Sequence, residues 1–249
     1  MKNYKLTIEY DGTAYHGWQI QASDITIQET IEKALSTMTK EKIRLSGSGR
    51  TDAGVHALGQ VANFKTNSRI PADAFFAGLN SLLPDDIVIT ACESMDDDFH
   101  ARFSAKNKTY QYRIYNHPIP LAIGRQYAWH IRKKLNVTAM QQAVALIIGT
   151  HDFKSFEGAG SPRSHTTRTV INAEFAKTDN EYLVFEITAN GFLRYMVRNL
   201  VGTLADVGLL KTTTDEFKLI LEAKNRDLAG VTAPPQGLFL VNVSYTFTN

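Results

Sequence analysis

KNYKLTIEYDG, residues 2–12, sets Tyr4, Leu6, Ile8 and Tyr10 on one side of an extended chain and Lys5, Thr7 and Glu9 on the other. A period of two over nine residues marks a half-buried strand, and Asp11-Gly12 ends it. Working outward, Thr26 to Met38 opens with a capping box, Thr26 and Glu29, and gathers Ile27, Ile31, Leu35 and Met38 on one helical face. A short strand over Lys42 to Ser46 follows, then a glycine-rich loop and a strand over Gly59 to Thr66. Pro71 suits the first turn of a helix reaching Leu83, and Asp86 to Met95 reads as a further strand. The order is β-α-β-β-α-β, the split βαβ or ferredoxin-like unit.

The second half repeats that order. A strand near Tyr127 to Ile131 precedes a helix from Thr138, capped by Thr138 and Gln141 and stopped by Gly149. Strands at Arg168 to Ala176 and Tyr182 to Ala189 are joined by the polar turn Thr178-Asp179-Asn180. A helix over Phe192 to Leu209, another from Thr214 and a strand over Leu238 to Phe247 close the chain. The expected fold is α+β: two ferredoxin-like halves, residues 1–105 and 106–249, joined into a mainly antiparallel sheet with helices on one face and a cleft on the other. No residue-level repeat accompanies the repeated order.

With 249 residues the chain is long enough for one large domain or two smaller ones. Hydrophobic residues make up 43% and charged residues 21%, the balance of an ordinary soluble globule rather than a disordered chain. Apolar runs such as Ala143 to Ile148 are far shorter than a membrane span requires, and Met1 leads straight into a strand pattern, so the expectation is a cytoplasmic protein without membrane attachment. Cys92 is the single cysteine and permits no intrachain disulfide; its apolar surroundings suit a buried thiol.

A net charge of +2 is too small to announce a nucleic-acid partner, but the charge is unevenly spread. Phe99 to His151 contains no Asp or Glu while holding Arg102, Lys106, Lys108, Arg113, Arg125, Arg132, Lys133 and Lys134, interleaved with Tyr110, Tyr112, Tyr115, Tyr127 and Trp129. Such a tract suits phosphates and stacked bases; a solvated strand face with core tyrosines has the same composition.

The chemistry concentrates in Ser46 to Gln60, SGSGRTDAGVHALGQ. Asp52 is the only acid between Glu41 and Asp73, and it follows Arg50, whose planar fork fits a phosphate or stacks on a base. The loop matches neither the dinucleotide fingerprint nor the phosphate-binding P-loop, and no histidine or cysteine spacing suggests a metal site. No nucleophile-elbow serine is present either. What remains is a carboxylate nucleophile accompanied by arginines and tyrosines; an aspartate in such a loop also serves as a turn residue bonding nearby backbone.

GRTDAGVHA closely resembles the active-site segment of the tRNA pseudouridine synthase A family. The resemblance extends along almost the whole chain: YDGTAYHGWQIQ from Tyr10, KTYQYRIYN from Lys108, GFLRYMVRNLVGTL from Gly191 and APPQGLFL from Ala233 are similar to its other segments, in the same order. It implies an isomerase that converts uridine to pseudouridine at tRNA positions 38, 39 and 40 in the anticodon stem-loop, without cofactor or metal, as a homodimer. Competing readings of the same fold are a non-catalytic RNA-binding clamp and a synthase acting on another RNA.

The resemblance gives each residue a role. Asp52 corresponds to the nucleophile, attacking C1′ of the ribose or C6 of the base, and must be ionised. Arg198 matches the cationic partner of that acid, and no acid between Glu186 and Asp206 neutralises it or Arg194 locally. Tyr110 matches the catalytic residue that stacks on the target base and assists proton transfer from C5 or the sugar, Arg50 the one that guides the flipped nucleotide, and Leu238 a wall beneath the uracil. Lys106, Lys108, Arg113 and Arg194 are the expected RNA contacts. Bland roles exist for each: a surface helix arginine, a core tyrosine, a strand leucine.

Overall fold

The computed structural model describes residues 1–158, 160, 165–178 and 181–246. The chain forms two compact units, one of Met1–Lys106 with Phe239–Asn249 and the other of Asn107–Leu238. The first boundary falls one residue from the expected 105/106 division. The C-terminal strand departs from it: assigned by chain order to the second half, it packs from Phe239 onward in the first unit.

The first unit follows the expected order. β1 (Lys2–Tyr10), α1 (Ile27–Thr39), β2 (Ser46–Gly47), β3 (His56–Thr66), α2 (Ala72–Leu82) and β4 (Ile87–Met95) succeed one another. β1 lies between β3 and β4, antiparallel to both, and β2 pairs antiparallel with β3, giving the order 4-1-3-2 of a split βαβ unit. Tyr4 meets Phe64 and Phe75 at ring distances of 5.5 and 5.0 Å beneath the helices. The Thr26 side chain caps α1 by accepting from Glu29 N, as its sequence indicates. β10 (Leu238–Ser244) adds a parallel pairing through Phe239 opposite His56 and Leu240 opposite Ala57.

The strand expected over Lys42 to Ser46 shrinks to Ser46–Gly47. Ile43 and Leu45 are buried as an apolar alternation requires, yet α1 side chains take the Leu45 backbone: Leu45 N donates to Glu32 Oε1 and its carbonyl accepts from Gln28 Nε2. With those groups satisfied, no ladder is needed. Cys92 is half-buried in β4, and burial pushes its thiol up to about 12, so it stays protonated and unreactive at neutral pH.

The second unit contains β5 (Asn107–Asn116), β6 (Trp129–Ile131), α3 (Val137–Ala145), β7 (Gly149–Asp152), β8 (Thr167–Lys177), β9 (Tyr182–Ala189), α4 (Met196–Gly208) and α5 (Thr214–Ala223). β9 runs antiparallel between β5 and β8, β7 extends the sheet beyond β8, and β6 pairs in parallel with the end of β5. Three expectations shift. Asn136, not Thr138, caps α3 by accepting from Ala139 N, while Gln141 instead receives Phe175 N. The segment from Phe192 becomes helical only at Met196, because Tyr195 takes a left-handed conformation at φ +61°. β7 arises at Gly149, read from sequence only as a helix stop. Asp179, Asn180 and Phe247, part of the expected turn and final strand, lie outside the described residues.

Candidate active site

Asp52 sits in the loop that joins β2 to β3, and the conformation of that loop is imposed by the segment after β1. Trp18 N donates to the Thr51 carbonyl at 3.1 Å, and Gly54 N to the Tyr15 carbonyl at 3.2 Å. Gly17, at φ +88°, lies so close that a Cβ on it would stand 2.6 Å from the Thr51 oxygen and 3.0 Å from the Asp52 carbonyl carbon. The loop therefore rests on the Gly17-Trp18 backbone, an approach only glycine allows. Val55 N closes a turn on the Asp52 carbonyl at 3.1 Å. Beyond it the wholly buried His56 accepts from Gly12 N and stacks on Phe239 at 4.7 Å. Arg50 is exposed and Asp52 half-buried, both presented by one rigid loop.

Lys106 is exposed in this first unit, its backbone N–H bonded to the Ser244 carbonyl at 2.8 Å. The remaining predicted residues belong to the second unit. Tyr110, Tyr112 and Ile114 on β5 are all buried on one strand face. Tyr110 contacts Phe192 edge to face at 4.9 Å. Lys108 shares that face; Arg113 is on the other, its Nε 3.1 Å from Gln111 Oε1, with burial drawing its pKa down. Leu238 is buried at the start of β10, after a 3-10 turn over Pro235–Gly237.

Arg198 is held from three sides. Its Nε donates to the Ala233 carbonyl at 2.7 Å, its own carbonyl accepts from Ala233 N at 3.1 Å, and its guanidinium lies 5.0 Å from the Tyr195 ring. Arg194 lies 4.7 Å from the same ring and donates to Tyr195 Oη, so a tyrosine serves both arginines. The 230–234 segment is laced along α4: Gly230 N donates to Thr203 Oγ1, and Thr232 Oγ1 to the buried Asn199. Tyr112 Oη then fixes the Pro234 carbonyl at 2.7 Å. Burial raises the Tyr112 pKa, against the opposing charge of Arg198, so this donor keeps its proton at neutral pH. Sequence reasoning singled out Arg198 but neither Tyr195 nor Ala233, and it named Tyr112 only as one of the tyrosines of the acid-free tract. Nor did it single out Trp18, whose signal was only its place in the segment after β1.

The first unit thus carries the Asp52 loop with its arginine, and the second a buried tyrosine on β5 and a clamped pair of arginines on α4. Comparison with known proteins gives the chain a family. A family model described as tRNA pseudouridine synthase matches residues 6–104 and 143–246. The chain is 49% identical over 245 residues to tRNA pseudouridine synthase A of Thermoanaerobacter sp. (strain X514), covering 98% of this chain and 100% of that one. Over the same span it is 50% identical to the protein of that name from Acetivibrio thermocellus and 51% to that from Caldicellulosiruptor bescii, again covering 98% of this chain and 100% of each relative. The chain belongs to the tRNA pseudouridine synthase family.

Proposed function

We propose that this protein isomerises uridine to pseudouridine at positions 38, 39 and 40 in the anticodon stem-loop of tRNAs, with Asp52 as nucleophile. Family membership supplies the reaction and the substrate class. The observation that carries the assignment of Asp52 is its loop: the sole acid between Glu41 and Asp73, half-buried, with Trp18 N donating to Thr51 before it and Gly54 N after it donating to the Tyr15 carbonyl. In the reaction the bond from uracil N1 to ribose C1′ breaks, the base turns, C5 joins C1′, and the C5 proton leaves as N1 gains one. No electron acceptor or hydrolysis is required. An ionised carboxylate supports this by transient covalent attack on C1′ or C6.

The target uridine must leave its stack, at a cost of a few kcal/mol. Tyr110 stacks on the extruded base, Leu238 walls it, Arg50 guides the nucleotide and Arg198 carries the cationic role that the resemblance assigns it. The protein works as a cytoplasmic homodimer on this reading. The test is tritium release from tRNA transcripts labelled at uridine C5, in which positions 38, 39 and 40 are replaced one at a time by cytidine. Release that falls with each replacement supports the assignment; release indifferent to all three refutes it.

Recognition of an A-form stem-loop rests on shape and phosphates, for which the acid-free tract is suited. Within it Arg132, Lys133 and Lys134 are exposed on a turn that Asn116 clamps, its Nδ2 donating to the Ile131 and Lys133 carbonyls at 2.8 Å and its Oδ1 accepting from Leu135 N at 3.1 Å. Three cations on a pre-ordered turn add to phosphate binding with no further cost of ordering the backbone. Replacing all three by glutamine should weaken tRNA binding and reduce the slope of log K against log salt by about 2 to 3, measured by filter binding across a salt series.

A further inference from the structure

The Asp52 loop rests on more than backbone. Gln60, wholly buried in β3, accepts on Oε1 from Ser48 Oγ at 2.7 Å and from Val61 N at 3.1 Å, and donates from Nε2 to the Gly49 carbonyl at 3.0 Å. The Tyr10 hydroxyl, equally buried at the end of β1, is hydrogen-bonded to Thr51 Oγ1 at 2.7 Å. Ser48 and Thr51 are themselves buried. Residues 48, 49 and 51 are thus pinned from below by two side chains, while Arg50 is exposed and Asp52 half-buried directly beyond the last pin.

We propose that Tyr10 and Gln60 are positioning residues, a buried polar platform that fixes where the Asp52 carboxylate stands. This rests on the reading of Asp52 as the nucleophile. A nucleophile displaced by about 1 Å loses on the order of a hundredfold in rate, so even partial release of the loop is kinetically visible. Burial pushes the Tyr10 pKa well above its ordinary value, so the phenol remains a neutral link across the working range. Neither residue touches substrate on this reading; both act through Thr51, Ser48 and Gly49.

Tyr4 supplies a matched control. It lies on the same face of β1, is as buried as Tyr10, and its hydroxyl bonds a carbonyl, that of Ile70 at 2.9 Å, far along the sheet from the loop. Tyr10→Phe and Tyr4→Phe each remove one buried hydroxyl and keep the ring. Single-turnover rate, tRNA Kd and Tm are measured for both, with Asp52→Asn alongside. The expected result is a similar small fall in Tm for the two tyrosine variants and tRNA Kd within about twofold of wild type, but a rate about tenfold lower for Tyr10→Phe alone. A wild-type rate in Tyr10→Phe, or equal slowing in Tyr4→Phe, overturns the platform. If Asp52→Asn is inactive while Tyr10→Phe keeps its rate, the platform alone fails; if Asp52→Asn turns over, the reading of the loop fails and the platform's role with it.

Discussion

Asp52→Asn should leave tRNA binding and Tm near wild type and reduce uridine isomerisation by at least about a thousandfold, or ~4 kcal/mol of transition-state stabilisation. Asparagine keeps the shape of the side chain but cannot form the covalent intermediate, so the loss falls on the chemical step rather than on affinity. Folding should be spared because asparagine matches aspartate in size and the loop's backbone bonds, Val55 N to the Asp52 carbonyl, Trp18 N to Thr51 and Gly54 N to Tyr15, are kept. Single-turnover tritium release together with filter binding separates the two effects. Turnover within tenfold of wild type would remove Asp52 from the chemistry.

Gly202→Ala should be the most disruptive single-atom addition to the second unit. A Cβ there would overlap the Val231 carbonyl oxygen, and 3.4 Å away stands Ala233 N, both backbone and therefore unable to swing aside. α4 and the 230–234 segment must separate, at a cost of about 3 kcal/mol, which for a chain of this size lowers Tm by roughly 10 °C. The clamp on Arg198 belongs to that contact, since Ala233 both accepts from its Nε and donates to its carbonyl. The variant should therefore lose activity at temperatures where it is still folded. Arg198→Ala, which introduces no overlap but removes the bond to the Ala233 carbonyl, should lose activity while its Tm falls less than that of Gly202→Ala. A Gly202→Ala protein with unchanged Tm would mean that the segment is not packed on α4 as described.

The first unit was legible because its signals are local. The alternation of Tyr4 to Tyr10 and the capping Thr26 each act within a few residues, and both strand and helix stand where those patterns place them. The failures are of another kind. Ile43 and Leu45 alternate like a strand, but whether their backbone joins a ladder depends on Gln28 and Glu32, a helix away. Thr138 and Asn136 are both competent caps, and the choice between them turned on Gln141 being claimed by Phe175. The delay of α4 to Met196 follows from Tyr195 sitting against two arginines, which no propensity reports.

The same distinction holds at the site. Asp52 and Arg50 stood out within a glycine-studded string, but residue type alone left Asp52 as readily a turn residue, and their roles came from the resemblance of that string to the family's segment. Tyr10 and Gln60 did not stand out, for opposite reasons: Tyr10 has the spacing of a core residue, and Gln60 is a polar residue in a strand whose buried side is revealed only by the loop that covers it. A buried hydroxyl and a buried amide acquire meaning from their partners, which lie 41 and 12 residues away in the chain.

The parallel pairing of Phe239 and Leu240 with His56 and Ala57 bears on how the protein assembles during synthesis. β3 begins four residues after Asp52, yet its neighbour on that side is encoded about 180 residues later, a contact of the long-range kind that forms slowly. On the ribosome the amino-terminal strands and helices can assemble early, but the His56 end of β3 lacks its parallel neighbour until β10 has emerged. Translation order thus leaves His56 and Ala57 without their parallel partners for as long as it takes to make the chain between the two strands.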